Sequence, residues 1–154
     1  MKVLIVEDDG LKRRELVQFT IDRLGAVDVV QAASFSAGMS EVFKGVPDLI
    51  LLDMSIPTFD HNATDGGGRP RPLGGYDFLF ELDRLDVESR VIVVTQFESF
   101  GSGQETQTLA EVSVQMAAEF PRLFRGVVFY QASVAKWRAD LSKIFEELRI
   151  VRHG

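Results

Sequence analysis

The chain has 154 residues, with 17 Lys and Arg against 23 Asp and Glu, a formal net charge of −6, 45% apolar residues and no cysteine. That is ordinary composition for one globular domain able to bury a core. It excludes disulfides, thiol chemistry and cysteine-bound zinc, and the acidic balance argues against a free-standing nucleic-acid binder.

Residues 3–6, Val-Leu-Ile-Val, form a continuous apolar run, as in a strand covered on both faces. The run is too short for a signal peptide or a membrane span. The expectation is a cytoplasmic protein with no membrane contact. Residues 11–24 follow on a helical period. Residues 27–30 are short and β-branched. Ser34 is a candidate N-cap for a second helix, which Gly45 and Pro47 end. Residues 49–52 are a third apolar run. Residues 55–75 are rich in Gly and Pro and read as a loop without a regular element. A short helix over 76–85 and a fourth strand over 91–94 come next. A flexible stretch is expected at 99–103, a helix over 105–120, a fifth strand over 127–130 and a closing helix over 134–148. Trp137, Leu141, Ile144, Phe145 and Leu148 line one side of that last helix.

Strands alternating with helices predict a doubly wound, five-stranded parallel sheet in a flavodoxin-like three-layer αβα sandwich. The whole chain, 1–154, reads as a single domain. It carries an inserted loop at about 58–75 and an extended segment at about 97–125 between the fourth and fifth strands.

In such a sheet ligands bind beyond the C-terminal strand ends. Glu7, Asp8 and Asp9 follow the first strand, Asp53 the third, and Thr95 and Gln96 the fourth. Bare carboxylates at adjacent strand ends repel one another. Mg²⁺, which takes oxygen ligands, would relieve this. An aspartate beside such a cation can act as a nucleophile toward phosphorus, and Thr95 is placed to offer a hydroxyl to the phosphoryl oxygens.

These residues carry a family resemblance. The segments VLIVEDD, PDLILLDMSIP, GGYDFL and VIVVTQF resemble the receiver domains of two-component response regulators. The resemblance covers nearly the whole chain. It implies that Asp53 is the phosphoacceptor and that Glu7, Asp8 and Asp53 bind Mg²⁺ with the backbone carbonyl of Ser55. It also implies that Thr95 is the switch hydroxyl and Tyr130 the switch aromatic. The implied partners are a sensor histidine kinase or phosphotransfer protein and an unspecified downstream protein, reached through the face from the fourth strand to the last helix. A homodimer is left open. No enzymatic activity beyond self-phosphorylation and self-dephosphorylation of the aspartate is expected.

Three features depart from that pattern. The family carries a Lys-Pro pair three residues after the aromatic of the fifth strand, and its lysine contacts the phosphoryl group. Here the position is Ser133, followed by Val134. Lys136, a turn further on, is the nearest replacement in sequence, with the wrong spacing. Gln96 stands where a small residue usually lines phosphoryl access. The loops after Asp53 and after Thr95 are long, the latter containing Phe97, Phe100, Phe120 and Phe124. These departures support a rival reading, a degenerate receiver acting as an interaction module without phosphorylation. A third reading, a phosphatase-like enzyme, lacks its general acid, because the position two after Asp53 is Ser55.

Overall fold

The computed structural model describes residues 1–25, 27–60, 74–100 and 106–150. The order is β1 (Lys2–Val6), α1 (Gly10–Leu24), β2 (Asp28–Ala32), α2 (Phe35–Lys44), β3 (Leu49–Leu52), α3 (Gly74–Arg84) and β4 (Arg90–Thr95). Then come β5 (Ser99–Phe100), β6 (Gln107–Thr108), α4 (Leu109–Glu119), β7 (Phe124–Phe129) and α5 (Lys136–Glu147). Five strands form a parallel sheet in the order β2-β1-β3-β4-β7. Among the described residues, no helix is long and apolar enough to cross a membrane.

The two faces of the sheet follow from strand alternation. Leu4, Val6, Ile50, Leu52, Val91 and Val93 face one way and pack with Met39, Val42, Phe78, Leu79, Leu82, Val112 and Met116, which belong to α2, α3 and α4. Val3, Ile5, Leu49, Leu51, Ile92 and Val94 face the other way, against Leu16 and Phe19 of α1 and Trp137, Leu141 and Phe145 of α5. Both faces are covered, which is why β1, β3 and β4 read as unbroken apolar runs.

Local signals set several boundaries. The Ser34 hydroxyl accepts from Ala37 N at the start of α2, and Asp9 accepts from Leu11 N and Lys12 N at the start of α1. Four differences from the sequence reading have physical causes. The helix expected over 105–120 starts at Leu109, because Thr108 and Glu111 form a capping box there. The stretch expected to be flexible at 99–103 begins instead with β5, paired antiparallel with β6. The last strand of the sheet begins at Phe124, not 127. It runs through Arg125 and Gly126, and its register against β4 shifts between Val91 and Ile92. That irregularity sits at an edge strand, where it hid the strand from an apolar-run reading. Finally, α3 begins at Gly74, inside the segment read as loop. Residues 61–73 of that segment, which include His61, Asp65, Arg69 and Arg71, lie outside the described residues, as do 101–105.

Gly74 and Gly75 open α3 because nothing larger fits. A Cβ on Gly75 would lie 2.6 Å from the carbonyl oxygen of Asp53, and one on Gly74 would lie 2.5 Å from that of Ile56. The Gly75 amide also donates to Met54 O at 2.8 Å. The second glycine of GGYDFL therefore lets a helix start directly against the backbone that carries Asp53. Gly75→Ala is expected to cost about 1–3 kcal/mol, as overpacking does, and to displace the Asp53 main chain. Gly10→Ala is the control, since a Cβ there meets nothing closer than 3.6 Å. Urea melts of the two variants check this.

Candidate functional site

Register brings the acidic residues together. Val6 of β1 pairs with Leu52 of β3, so the next residues, Glu7 and Asp53, leave the sheet side by side. Two backbone bonds hold the exit: Glu7 N donates to Ala32 O at 2.9 Å and Asp53 N to Val6 O at 3.0 Å. Carboxylate oxygens of Glu7, Asp8 and Asp53 all lie within 4.8 Å of one another. Glu7 and Asp53 are buried and Asp8 is half-buried. The three strand-end acids are thus brought to one place.

A fourth residue joins it that sequence reasoning missed. The ammonium of Lys12 is 2.8 Å from Glu7 Oε1 and 3.0 Å from Asp53 Oδ1. It also donates to Val94 O at 2.8 Å, and the side chain is 1% exposed. The placement follows from helix geometry. α1 leaves the sheet just after the acids, and side chains in a helix lean toward its N-terminus. A lysine in the first turn therefore reaches back over the strand ends. By helix rules alone it is misplaced, because a cation is unfavourable at the positive end of the dipole. The two carboxylates and the Val94 carbonyl offset that.

The electrostatics of Glu7 show the cost of burial. Desolvation pushes its carboxyl up to about 9, with Lys12 pulling it down and Asp53 adding to the rise. Its Oε2 has no hydrogen-bond partner. Asp53 is better served, since the Ser55 hydroxyl donates to its Oδ2 at 3.3 Å while Lys12 holds Oδ1. The donor set of three carboxylates with one orphaned buried oxygen fits a hard divalent cation. In this arrangement the ammonium of Lys12 supplies positive charge between two of them.

Thr95 ends β4, fully buried. Its hydroxyl accepts from Phe97 N at 3.2 Å, and its carbonyl accepts from Tyr130 N at 2.7 Å. Tyr130 lies one residue beyond β7. It is buried, with its hydroxyl donating to Glu15 of α1 at 2.9 Å and its ring 5.2 Å from that of Trp137. Burial and Glu15 both push the phenol's pKa upward. Lys136, the nearest replacement lysine in sequence, does not reach the acids. Its ammonium pairs with Asp140 at 2.7 Å, and the side chain is 76% exposed. Ser133 and Gln96 line one cleft with Lys12 and Tyr130. Of the aromatics after β4, Phe120 and Phe124 are core residues, whereas Phe97 is 41% exposed.

No protein-family model matches the chain. The Detocs response regulatory protein DtcB of Enterobacter cloacae (strain JD6301) is 31% identical over 150 residues, which cover 96% of this chain and 100% of that protein. Sporulation initiation phosphotransferase F of Bacillus subtilis (strain 168) is 30% identical over 112 residues, covering 73% of this chain and 77% of that one. Among solved structures, the Mn²⁺-bound form of response regulator Rcp1 superposes with a TM-score of 0.62 at 17% identity, over 94% of this chain and 91% of that one, which is a likeness of fold. Sequence similarity across nearly the full length of a response regulatory protein, on a sheet of matching fold, places the chain in the response regulator receiver family.

Proposed function

We propose that the chain works as a stand-alone receiver, in which Asp53 accepts a phosphoryl group and passes the signal on by protein–protein contact. The observation that carries this is the Asp53 carboxylate at the end of a central strand, with Glu7 and Asp8 beside it and one cation, Lys12, in direct contact. The match to the Enterobacter response regulatory protein over 96% of this chain supports the receiver reading. A histidine kinase or phosphotransfer protein is the donor that fits the family.

The transfer is a substitution at phosphorus. An oxygen of Asp53 forms the new O–P bond while the P–N bond of a phosphohistidine breaks. The imidazole nitrogen leaves with the electron pair and takes up a proton. Glu7, Asp8 and Asp53, with the backbone carbonyl of Ser55, would hold Mg²⁺, whose charge opposes that of the phosphoryl oxygens when bound. The Mn²⁺-bound form of Rcp1, a protein of the same fold, supports a divalent cation here. The chain's own groups do the rest. Asp53 is the nucleophile, Ser55 orients its second oxygen, and burial excludes water from the acyl phosphate that forms. Thr95 and Tyr130 form the switch: the Thr95 hydroxyl turns from Phe97 N toward the new phosphoryl group, and Tyr130, just past the end of the neighbouring strand, responds. The loop after β4, with the exposed Phe97, belongs to the surface that a downstream protein would read.

The same geometry favours one rival. The acids are already neutralised in part by Lys12, so a receiver that binds its partner without metal or phosphate is stable on this scaffold. Intact mass after incubation with acetyl phosphate separates the readings. The expected result is a Mg²⁺-dependent phosphoryl adduct that Asp53→Asn loses entirely. If neither acetyl phosphate nor a panel of phosphorylated kinases gives an adduct, and partner affinity ignores phosphodonors, the interaction module stands.

A further inference from the structure

We propose that Lys12 is the phosphoryl-contacting cation of this receiver, delivered from the first turn of α1 instead of from the segment after the last strand of the sheet. The inference rests on Asp53 being the phosphoacceptor.

Three observations carry it. First, the ammonium sits 3.0 Å from Asp53 Oδ1, which puts a fixed positive charge beside the oxygens of any phosphoryl group placed on that carboxylate. Second, Lys12 joins the acids to the neighbouring cleft between the start of α1 and the segment after β7, and among the described residues lining that cleft it alone carries positive charge. Third, Ser133, the position at which the family's lysine is expected, lines the same cleft. Lys12 and a lysine at 133 would therefore share one cleft, reached from different segments of the chain. Lys136 is directed away, onto Asp140.

The arrangement gives Lys12 two tasks. Before transfer, it sits at contact distance from both Glu7 and Asp53 and offsets their charge in part. As the O–P bond forms at Asp53, negative charge moves onto the phosphoryl oxygens and the ammonium follows it. The flexible four-carbon stem allows that shift without moving α1. The Val94 carbonyl remains as the anchor for one of its three protons.

The test is a swap of the cation between the two segments. Adduct formation from acetyl phosphate with saturating Mg²⁺ is followed by intact mass for the wild type, Lys12→Met, Lys12→Met with Ser133→Lys, and Lys136→Met. The expected result is a fall of about 10²–10³-fold in rate for Lys12→Met, the scale on which one charge-stabilising donor acts. Most of that rate returns in the double variant, and Lys136→Met stays at the wild-type rate. A second measurement on the unaltered protein covers the case in which Lys12→Met does not fold. With ¹⁵N-labelled lysine, Mg²⁺ and beryllofluoride are added and the Lys12 ammonium signal is followed by NMR, with Lys12→Arg used to assign it. A large shift of that signal is expected, because the ammonium gains a fluoride contact. Adduct formation at the wild-type rate in folded Lys12→Met overturns the inference while leaving the phosphoacceptor reading intact, and so does an unmoved ammonium signal in protein that binds beryllofluoride. Absence of any adduct in every form, the wild type included, overturns the phosphoacceptor reading and the inference with it.

Discussion

Replacing Lys12 by methionine is expected to destabilise the metal-free protein by about 3–5 kcal/mol, the range for breaking a buried ion pair by removing one partner. The side chains of Lys12, Glu7 and Asp53 are 1%, 2% and 5% exposed. Without the ammonium, the buried Glu7–Asp53 pair loses its counter-charge and a hydrogen-bond donor, and the Val94 carbonyl loses its donor as well. Methionine nearly conserves the volume, so little of the loss comes from a cavity. Saturating Mg²⁺ should return most of the stability, since a divalent cation can hold the carboxylates apart and binds only the folded arrangement. The gain on adding Mg²⁺ should be larger for the variant than for the wild type, where Lys12 competes for the same oxygens. Lys136→Met is the control. Its pair with Asp140 is exposed and of the i,i+4 kind, worth about 0.3–0.5 kcal/mol. Urea melts in EDTA and in Mg²⁺ read both variants. Equal stability of Lys12→Met and wild type in EDTA would show that the ammonium does not sit between the acids.

Trp137→Ala is the second large effect, at about 3–5 kcal/mol. The side chain is 1% exposed and lies at the centre of the α1–α5 layer. Its ring is 5.6 Å from that of Phe19 and 5.2 Å from that of Tyr130, with the Arg138 guanidinium 4.4 Å above it. Its indole nitrogen has no hydrogen-bond partner. Trp137→Phe should therefore cost far less than Trp137→Ala, because it removes an unsatisfied N–H while keeping most of the apolar contact. The alanine variant also loosens Tyr130, whose hydroxyl is tied to Glu15 on the helix that carries Lys12. Slower phosphoryl uptake in Trp137→Ala, measured below its melting temperature, would report that link. Far-UV circular dichroism during a urea melt follows the stability of both variants.

The site divides into parts the sequence states and a part it hides. Glu7, Asp8, Asp53 and Thr95 were legible because each directly follows an apolar run, and parallel strands in this topology end on one side. Thr108 and Ser34 were legible as residue types that cap helices, although only Ser34 was recognised in advance. The strand from Phe124 was shortened by the reading because Arg125 and Gly126 interrupt its apolar run. The pairing with β4 that admits them is a long-range contact. Gly74 and Gly75 read as loop because glycine disfavours helices in isolation. The close approach of Asp53 O and Ile56 O, which makes them necessary, appears only in three dimensions.

Lys12 is the sharpest case. A signal was present: a lysine five residues after Glu7, in the first turn of a helix, in a chain with Ser133 where a lysine was expected. A lysine in a helix is ordinarily solvated, and no periodicity marks one that is not. By itself the sequence determined the alternating architecture, the sheet order to within a few topologies, and the strand ends at which acids collect. Those are consequences of hydrophobic period and residue type, which are local. Only the tertiary structure decided which cation answers the acids. That depends on the direction in which α1 leaves β1 and on the register that sets Glu7 beside Asp53, and both are fixed by packing between residues far apart in the chain.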